Sequence, residues 1–148
     1  MRLARYLSMI TLSETQWREM VNYCAGQGDI LALYLYGSYG TPYQTPLSDV
    51  DLAVLPMPGV KWDIRRELEI HSDLAGIGRN DDINLINLHH VPSTLQFRVL
   101  GTGRLLHCRN EILLADFVER VILRHADFSL DLASFYRSYD AALREEFS

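Results

Sequence analysis

Two aspartates one residue apart, Asp49 and Asp51, are the side chains of this sequence best placed to do chemistry. They stand at the head of a short apolar run, Val50 to Leu55, whose length and composition predict a β-strand. Side chains two residues apart on a strand point to the same face, so the two carboxylates should converge. Charge at the head of an apolar strand is costly unless something compensates it, and Mg²⁺ prefers carboxylate and phosphate oxygens. The pair therefore predicts a magnesium site.

A glycine-serine turn stands ten residues before the first aspartate. Gly37 and Ser38 follow an apolar run, Ile30 to Tyr36, which predicts a strand buried on both faces. Because glycine has no Cβ, its backbone can approach a phosphate closely, and the Ser38 hydroxyl can bond to phosphate oxygens. Each motif alone is common, but their combination is specific. It predicts a triphosphate at Gly37 and Ser38 and a metal ion at Asp49 and Asp51.

The spacing of Gly-Ser, ten residues and Asp-x-Asp resembles the signature of the polymerase β-like nucleotidyltransferases. The resemblance implies in-line transfer of a nucleoside monophosphate from a nucleoside triphosphate to an acceptor hydroxyl, with Mg²⁺ as cofactor. Other segments are similar to the minimal nucleotidyltransferase (MntA-type) antitoxins, which are paired with HEPN-domain (HepT-like) ribonuclease toxins. This similarity covers Ile30 to the C-terminus and lies in Ile83–Leu88, Leu95–Leu100, Gly103–Leu106, Ala115–Arg120, Asp127–Phe128 and Ala141–Leu143.

The narrower resemblance implies that the chain is an antitoxin with ATP as its substrate. It would transfer AMP to a tyrosine hydroxyl of a cognate HEPN toxin, with which it could form a hetero-oligomer. Two other functions stay open at this point. One is a nucleotidyltransferase acting on a small molecule such as an aminoglycoside, although such enzymes usually carry an additional substrate-binding domain. The other is a non-catalytic antitoxin that blocks its toxin by binding.

The third acidic position of the superfamily is altered in this sequence. The resemblance places a metal-binding carboxylate on the third strand, where this chain has Asn84. An asparagine can ligate a metal through its carbonyl oxygen but cannot accept the acceptor's proton. Asp82 has the same strand parity as Asn84 and Asp81 the opposite parity, so Asp82 is the candidate replacement. The alternative is that the acceptor loses its proton to the nucleotide or to water.

Hydrophobic periodicity predicts the elements that must position these residues. A capping box of Ser13 and Gln16 starts a first helix that ends before Gly26. A helix is expected over Lys61–Leu74, with an inner face of Ile64, Leu68, His71 and Ala75, and a strand over Ile83–Leu88. A short helix closed by Gly101 and an edge strand over Arg104–Cys108 should follow. Two helices should complete the chain, the first with Ile112, Ala115, Val118 and Ile122 on its inner face and the second with Leu132, Phe135, Tyr139 and Leu143. This order predicts an α/β (α+β) fold, with a small mixed β-sheet, flanking helices and a helical C-terminal tail.

Length and composition limit the class of protein. A chain of 148 residues with 48% hydrophobic and 22% charged residues suits one soluble domain over 1–148, with a core at about 12–108 and a helical tail at about 110–147. A net charge of −5 disfavours direct binding to nucleic acid. Two cysteines without metal-ligand spacing, and no long apolar stretch, predict a cytoplasmic protein without a membrane segment.

Overall fold

The computed structural model describes residues 12–37, 50–79, 82–124 and 129–147. Within these ranges the elements follow the order expected from periodicity. They are α1 (Glu14–Ala25), β1 (Ile30–Tyr36), β2 (Val50–Pro56), α2 (Ile64–Gly78), β3 (Ile83–Asn87), α3 (Ser93–Thr102), β4 (Arg104–Cys108), α4 (Glu111–Arg124) and α5 (Ser129–Phe147). None of these helices is both long enough and apolar enough to cross a bilayer. Cys24 and Cys108 are free thiols.

The four strands form one mixed sheet in the order β3-β2-β1-β4. β1 pairs antiparallel with both β2 and β4, whereas β2 and β3 run parallel. Parallel neighbours need a crossover connection, and α2 supplies it between β2 and β3. The predicted α+β class with a mixed sheet and a helical C-terminal part is therefore confirmed.

Helices cover both faces of the sheet, so the central strands are buried on both sides. One face, which includes Tyr34 and Ala53, packs against α3, α4 and α5. The other face, which includes Leu33, Leu52 and Val54, packs against α1 and α2. This arrangement explains why β1 and β2 read as nearly continuous apolar runs instead of alternating patterns.

The first helix begins as its capping box predicts. The Ser13 hydroxyl accepts from the Gln16 backbone N–H at 3.1 Å, and the Ser13 N–H donates to the Gln16 side chain at 2.7 Å. The Gln16 amide also donates to the carbonyls of Ile77 and Gly78, at 3.2 and 2.9 Å. The cap therefore also joins the start of α1 to the end of α2.

The expected inner face of α2 is wrong at Ile64 and Leu68, whereas Ala75 packs against the core as expected. Ile64 and Leu68 are 72% and 57% exposed, and the buried positions are Ile70, Leu74 and Gly78. Both sets repeat at four-residue spacing, so periodicity alone does not choose between two apolar stripes of one helix.

Close packing at Gly78 explains which stripe of α2 turns inward. A Cβ on Gly78 would overlap the side chain of Ile83 and would lie in contact with that of Met20. The missing side chain lets the end of α2 lie directly on β3 and α1. The helix runs past Gly76 to Gly78, and Arg79, with a φ of 53°, is its left-handed C-cap.

The last two helices pack against the sheet. The expected inner face of α4 is rotated, because Ile112 is 74% exposed while Val118 and Ile122 are buried. The buried stripe follows the i, i+3, i+4, i+7, i+8 pattern and consists of Leu114, Phe117, Val118, Val121 and Ile122. In α5, Phe135 and Tyr139 are buried as predicted, and Leu132 lies outside the described side chains.

The junction between α3 and α5 depends on a glycine. A Cβ on Gly101 would meet the Phe135 ring at 2.6 Å, and Phe97 stacks on that ring at 4.6 Å between centroids. Gly101 was expected to end α3, but the helix continues to Thr102 and Gly103 is its C-cap. Gly101 is therefore a packing position inside the helix.

Leu74→Ala should lower the free energy of unfolding by about 2–5 kcal/mol, because it leaves a cavity in the core between α2 and the sheet. Leu68→Ala makes the same chemical change on the exposed side of the same helix and should stay within about 0.5 kcal/mol. Urea unfolding followed by circular dichroism measures both. Equal losses in the two variants would show that the assigned orientation of α2 is wrong.

Candidate active site

Three residues form a row across the sheet at the end where β1 stops and β2 and β3 begin. Asp51 is the registered partner of Tyr36 on β1 and of Asn84 on β3. Registered partners project from the same face of a sheet, so these three side chains are neighbours. The Asn84 amide nitrogen donates to Asp51 Oδ1 at 3.3 Å. The position that sequence comparison assigned to a third carboxylate thus lies beside Asp51 and holds an amide.

Gly37 lies directly against the carboxylate of Asp51. Its φ is 81°, in the left-handed region that side chains disfavour, and a Cβ there would overlap Asp51 Oδ2. Two separate constraints therefore require glycine at this position. The backbone that leaves β1 passes next to the carboxylate, as a motif that brings phosphate and metal together would require.

Some predicted site residues lie outside the described part of the chain. Ser38, Asp49 and Asp81 fall in the ranges 38–49 and 80–81. Phosphate contact by Ser38, and convergence of the Asp49 carboxylate with Asp51, stay predictions. Gly37 and Asp51 are the members of the motif that the structure brings together.

Asp82 lies one residue before β3, which begins at Ile83. Its backbone carbonyl accepts from the Val50 N–H at 2.8 Å, so its main chain is joined to the start of β2. Its side chain is exposed. Since Asn84 occupies the register position opposite Asp51, Asp82 would act from the rim of the site, and its role stays a prediction.

A cleft of about 390 Å³ opens beside Tyr36 and Asp51 of this row. Its floor contains Tyr36, Gly37 and Asp51, and its wall is one side of α3. The residues of the wall are Leu95, Arg98, Val99 and Thr102. Their spacing of three and four residues places them on one face of the helix.

Sequence reasoning missed Arg98, Thr102 and Tyr36 as cleft residues. The sequence predicts the helix from its apolar positions, and it gives Tyr36 only as the last residue of the apolar run that predicts β1. The available signal was a single basic residue between Leu95 and Val99, on the helical face that also carries Thr102. Only the packing of α3 beside the end of β1 reveals that this face borders the aspartate.

The electrostatics of the cleft join Tyr36 to both charged groups. Burial raises the pKa of the Tyr36 phenol, the negative charge of Asp51 raises it further, and Arg98 acts in the opposite direction. The phenol consequently stays protonated at neutral pH and can donate a hydrogen bond in the cleft.

The donor chemistry at Asp51 suits Mg²⁺. A half-buried carboxylate with an amide at its side offers hard oxygen ligands. No group of three His, Cys, Asp or Glu side chains clusters within residues 12–37, 50–79, 82–124 and 129–147, and Asp49 lies outside these ranges. The described part therefore contains one candidate carboxylate, Asp51, and its amide neighbour.

Other charged side chains with possible phosphate or metal roles have structural partners. Arg66 donates to Asp29 at 2.7 and 2.9 Å, and this contact holds the pKa of the Asp29 carboxyl below its usual range. His71 contacts the Ile83 carbonyl at 2.7 Å, and His90 contacts Glu67 at 3.0 Å. Neither Arg66 nor these histidines line the cleft.

A family model fits the part of the chain that builds this site. The model for polymerase beta, nucleotidyltransferase, matches residues 18–112, which include the whole sheet and both sides of the cleft. The chain belongs to the polymerase beta nucleotidyltransferase family. A search of curated protein sequences found no match.

Solved structures of toxin-antitoxin complexes have the fold of this nucleotidyltransferase domain. A toxin-antitoxin with AMP-PNP is 21% identical, with a TM-score of 0.61 over 85% of this chain and 97% of that chain. A tri-AMPylated Shewanella oneidensis HEPN toxin in complex with MNT antitoxin is 19% identical, with a TM-score of 0.60 over 84% and 95%. The toxin-antitoxin MntA-HepT is 17% identical, with a TM-score of 0.58 over 84% and 97%. At these identities the likeness concerns the fold.

Gly37→Ala should destabilise the protein and weaken binding of Mg²⁺ and nucleotide, because the methyl group both strains the backbone and displaces Asp51. Gly59→Ala is the matched control, since Gly59 has φ 80° and open space around it. It should cost only the backbone strain, about 1 kcal/mol, and leave binding intact. Denaturant unfolding and calorimetric titration with Mg²⁺ and nucleotide measure both effects. Unchanged binding in Gly37→Ala would contradict the role of this contact.

Proposed function

We propose that this chain is a Mg²⁺-dependent adenylyltransferase that transfers AMP from ATP to a tyrosine hydroxyl of a cognate HEPN-domain ribonuclease toxin and thereby silences it. The observation that carries the proposal is the contact of Gly37 with Asp51 on the floor of the cleft. A glycine turn and a carboxylate that touch in this way can bring a triphosphate and a cation to one point. Membership of the nucleotidyltransferase family supports the reaction class.

In the proposed reaction a tyrosine oxygen attacks the α-phosphorus of ATP. A new phosphorus–oxygen bond forms, the bond from the α-phosphorus to the bridging oxygen breaks, and pyrophosphate leaves with the electron pair. The tyrosine proton passes to a base. Asp82 is the candidate for this base among the chain's own carboxylates, because the Asn84 amide cannot accept a proton.

The chain's residues would bind and orient the nucleotide. Gly37 and Ser38 would contact the triphosphate, and Asp49 and Asp51 would hold Mg²⁺. Asn84 would hold the Asp51 carboxylate in place by the hydrogen bond described above and offer its carbonyl oxygen as a further ligand. When bound, Mg²⁺ neutralises the charge that grows on the α-phosphate and on the leaving pyrophosphate.

The proposed substrate and partner come from the likeness to toxin-antitoxin complexes. One of those structures contains AMP-PNP, and another contains a HEPN toxin that is tri-AMPylated. Those facts concern the other proteins. They support ATP as the nucleotide and a HEPN toxin as the acceptor here, in a complex that forms at least during transfer.

A second function, an antitoxin that acts by binding alone, is favoured by one observation. Asn84 lies in the site at the position where a third carboxylate would complete the metal ligands. A chain that no longer transferred AMP could still cover its toxin. Covalent modification outlasts contact, whereas a reversible complex dissociates on dilution.

Incubation of the purified toxin with this chain, ATP and Mg²⁺ should add AMP units to the mass of the toxin. Its ribonuclease activity should stay low after the two proteins are separated. Asp51→Asn or Asp49→Asn should reduce the rate of transfer at least about 100-fold, because each removes a metal-binding charge. Asp116→Asn, an exposed change on α4, is the control and should transfer normally. An unmodified toxin that regains activity on dilution would instead support inhibition by binding.

Asp82→Asn should slow transfer strongly if Asp82 is the base, whereas Asp81→Asn, of opposite parity, should have little effect. Asn84→Asp should quicken transfer if the third carboxylate is simply missing, and should change little if Asp82 already supplies it. Single-turnover rates measured against pH separate these outcomes, because loss of a base removes the acidic limb of the profile. Equal, mild effects at positions 81 and 82 would exclude both residues from the site.

A further inference from the structure

Arg98 is the cation of the cleft wall. It lies on α3 with Leu95, Val99 and Thr102, and these residues border the same space as Gly37 and Asp51. Its side chain is exposed, so the guanidinium does not contribute to the core. In the described part of the chain, it is the only basic side chain among the residues that line this cleft.

Other arginines of the fold are engaged by protein groups. Arg66 binds Asp29, Arg109 donates to backbone carbonyls of Ala25 and Gln27, and Arg124 donates to Gln96. For the Arg98 guanidinium, no hydrogen bond or ion pair occurs with the residues that the structure describes, and its charge acts on the Tyr36 phenol by lowering the pKa of that group. An exposed guanidinium on the wall of a cleft is placed to bind an anion there.

We propose that Arg98 binds a phosphate of the nucleotide and so provides the cleft with a fixed positive charge opposite Asp51. The inference rests on the proposed function, since it assigns a role within the same site. An arginine can make two parallel hydrogen bonds to a phosphate and keeps its charge at every physiological pH.

The charge pattern of the floor supports a phosphate as the anion. Among the described residues that line the cleft, Asp51 is the acidic one, and a carboxylate on the floor repels a polyphosphate. Arg98 compensates part of that repulsion from the wall. The opposite effects of Asp51 and Arg98 on the Tyr36 phenol agree with both charges acting on the same small volume.

Direct binding measurements test this role without requiring turnover. The probe is α,β-methylene-ATP with Mg²⁺, because the bond broken in AMP transfer cannot break in this analogue. Arg98→Gln should raise its dissociation constant about tenfold or more, the range expected for loss of a charged hydrogen bond. Arg98→Lys keeps the charge but loses the paired geometry and should show a smaller loss.

Two controls separate phosphate contact from a general effect. Arg18→Gln removes an equal charge from α1, on the other side of the sheet, and should leave binding unchanged. Adenosine lacks phosphate, so its affinity should be the same for wild-type protein and Arg98→Gln. A thermal unfolding curve checks that the variant is folded, as expected for an exposed residue.

The outcomes distinguish this inference from the function on which it rests. If the wild-type chain binds the analogue and Arg98→Gln binds it equally well, the role of Arg98 is excluded and the proposed function stands. The role is also excluded if Arg98→Gln weakens adenosine as much as the analogue. If the wild-type chain binds no nucleotide, the proposed function fails and the inference fails with it.

Discussion

The site depends on the contact between the Gly37 backbone and the Asp51 carboxylate. The last residue of β1 is paired with Asp51, and the chain must then turn within one residue without pushing that carboxylate away. Only a residue without a Cβ, in a left-handed conformation, satisfies both demands. The direction in which the chain leaves β1 follows from this contact, and so does the open floor of the cleft.

The two cores fix this contact from either side of the sheet. Asp51 lies between β1 and β3 in a continuous ladder, and the residues that follow it on β2 are fully enclosed. Because β2 is closely packed on both faces, its backbone cannot shift, and the Asp51 carboxylate stays next to Gly37. Stability and site geometry therefore depend on the same apolar residues, although none of these residues has chemistry of its own.

Most of the architecture was predictable because each element has a strong local signal. The capping box of Ser13 and the apolar runs of β1 and β2 fixed the order of elements, and the motif identified Gly37 and Asp51. The altered third acidic position was also predictable, since the resemblance places it at Asn84. These features depend on residues close together in the sequence or on a pattern of fixed spacing.

Features that depend on packing between distant elements were not predictable. The inner face of α2 was misassigned because Ile64 and Leu68 repeat as regularly as Ile70 and Leu74, and contact with Ile83 and Met20 decides between them. Arg98 was missed because nothing local shows that its helix borders the aspartate. Gly101 has the local pattern of a helix end. Its packing partner, Phe135, is 34 positions later in the sequence, so no local signal shows the contact.

The packing of the Phe135 ring on Gly101 determines how the cleft responds to ionic strength. The wall of the cleft is attached to the last helix by stacked rings and by a ring that packs on a glycine, which are apolar contacts. Added salt screens charges over a Debye length of about 8 Å at physiological ionic strength, but it does not loosen apolar contacts of this kind. We therefore expect the wall to keep its position as the ionic strength rises. Contacts made by the Arg98 guanidinium should weaken over the same range.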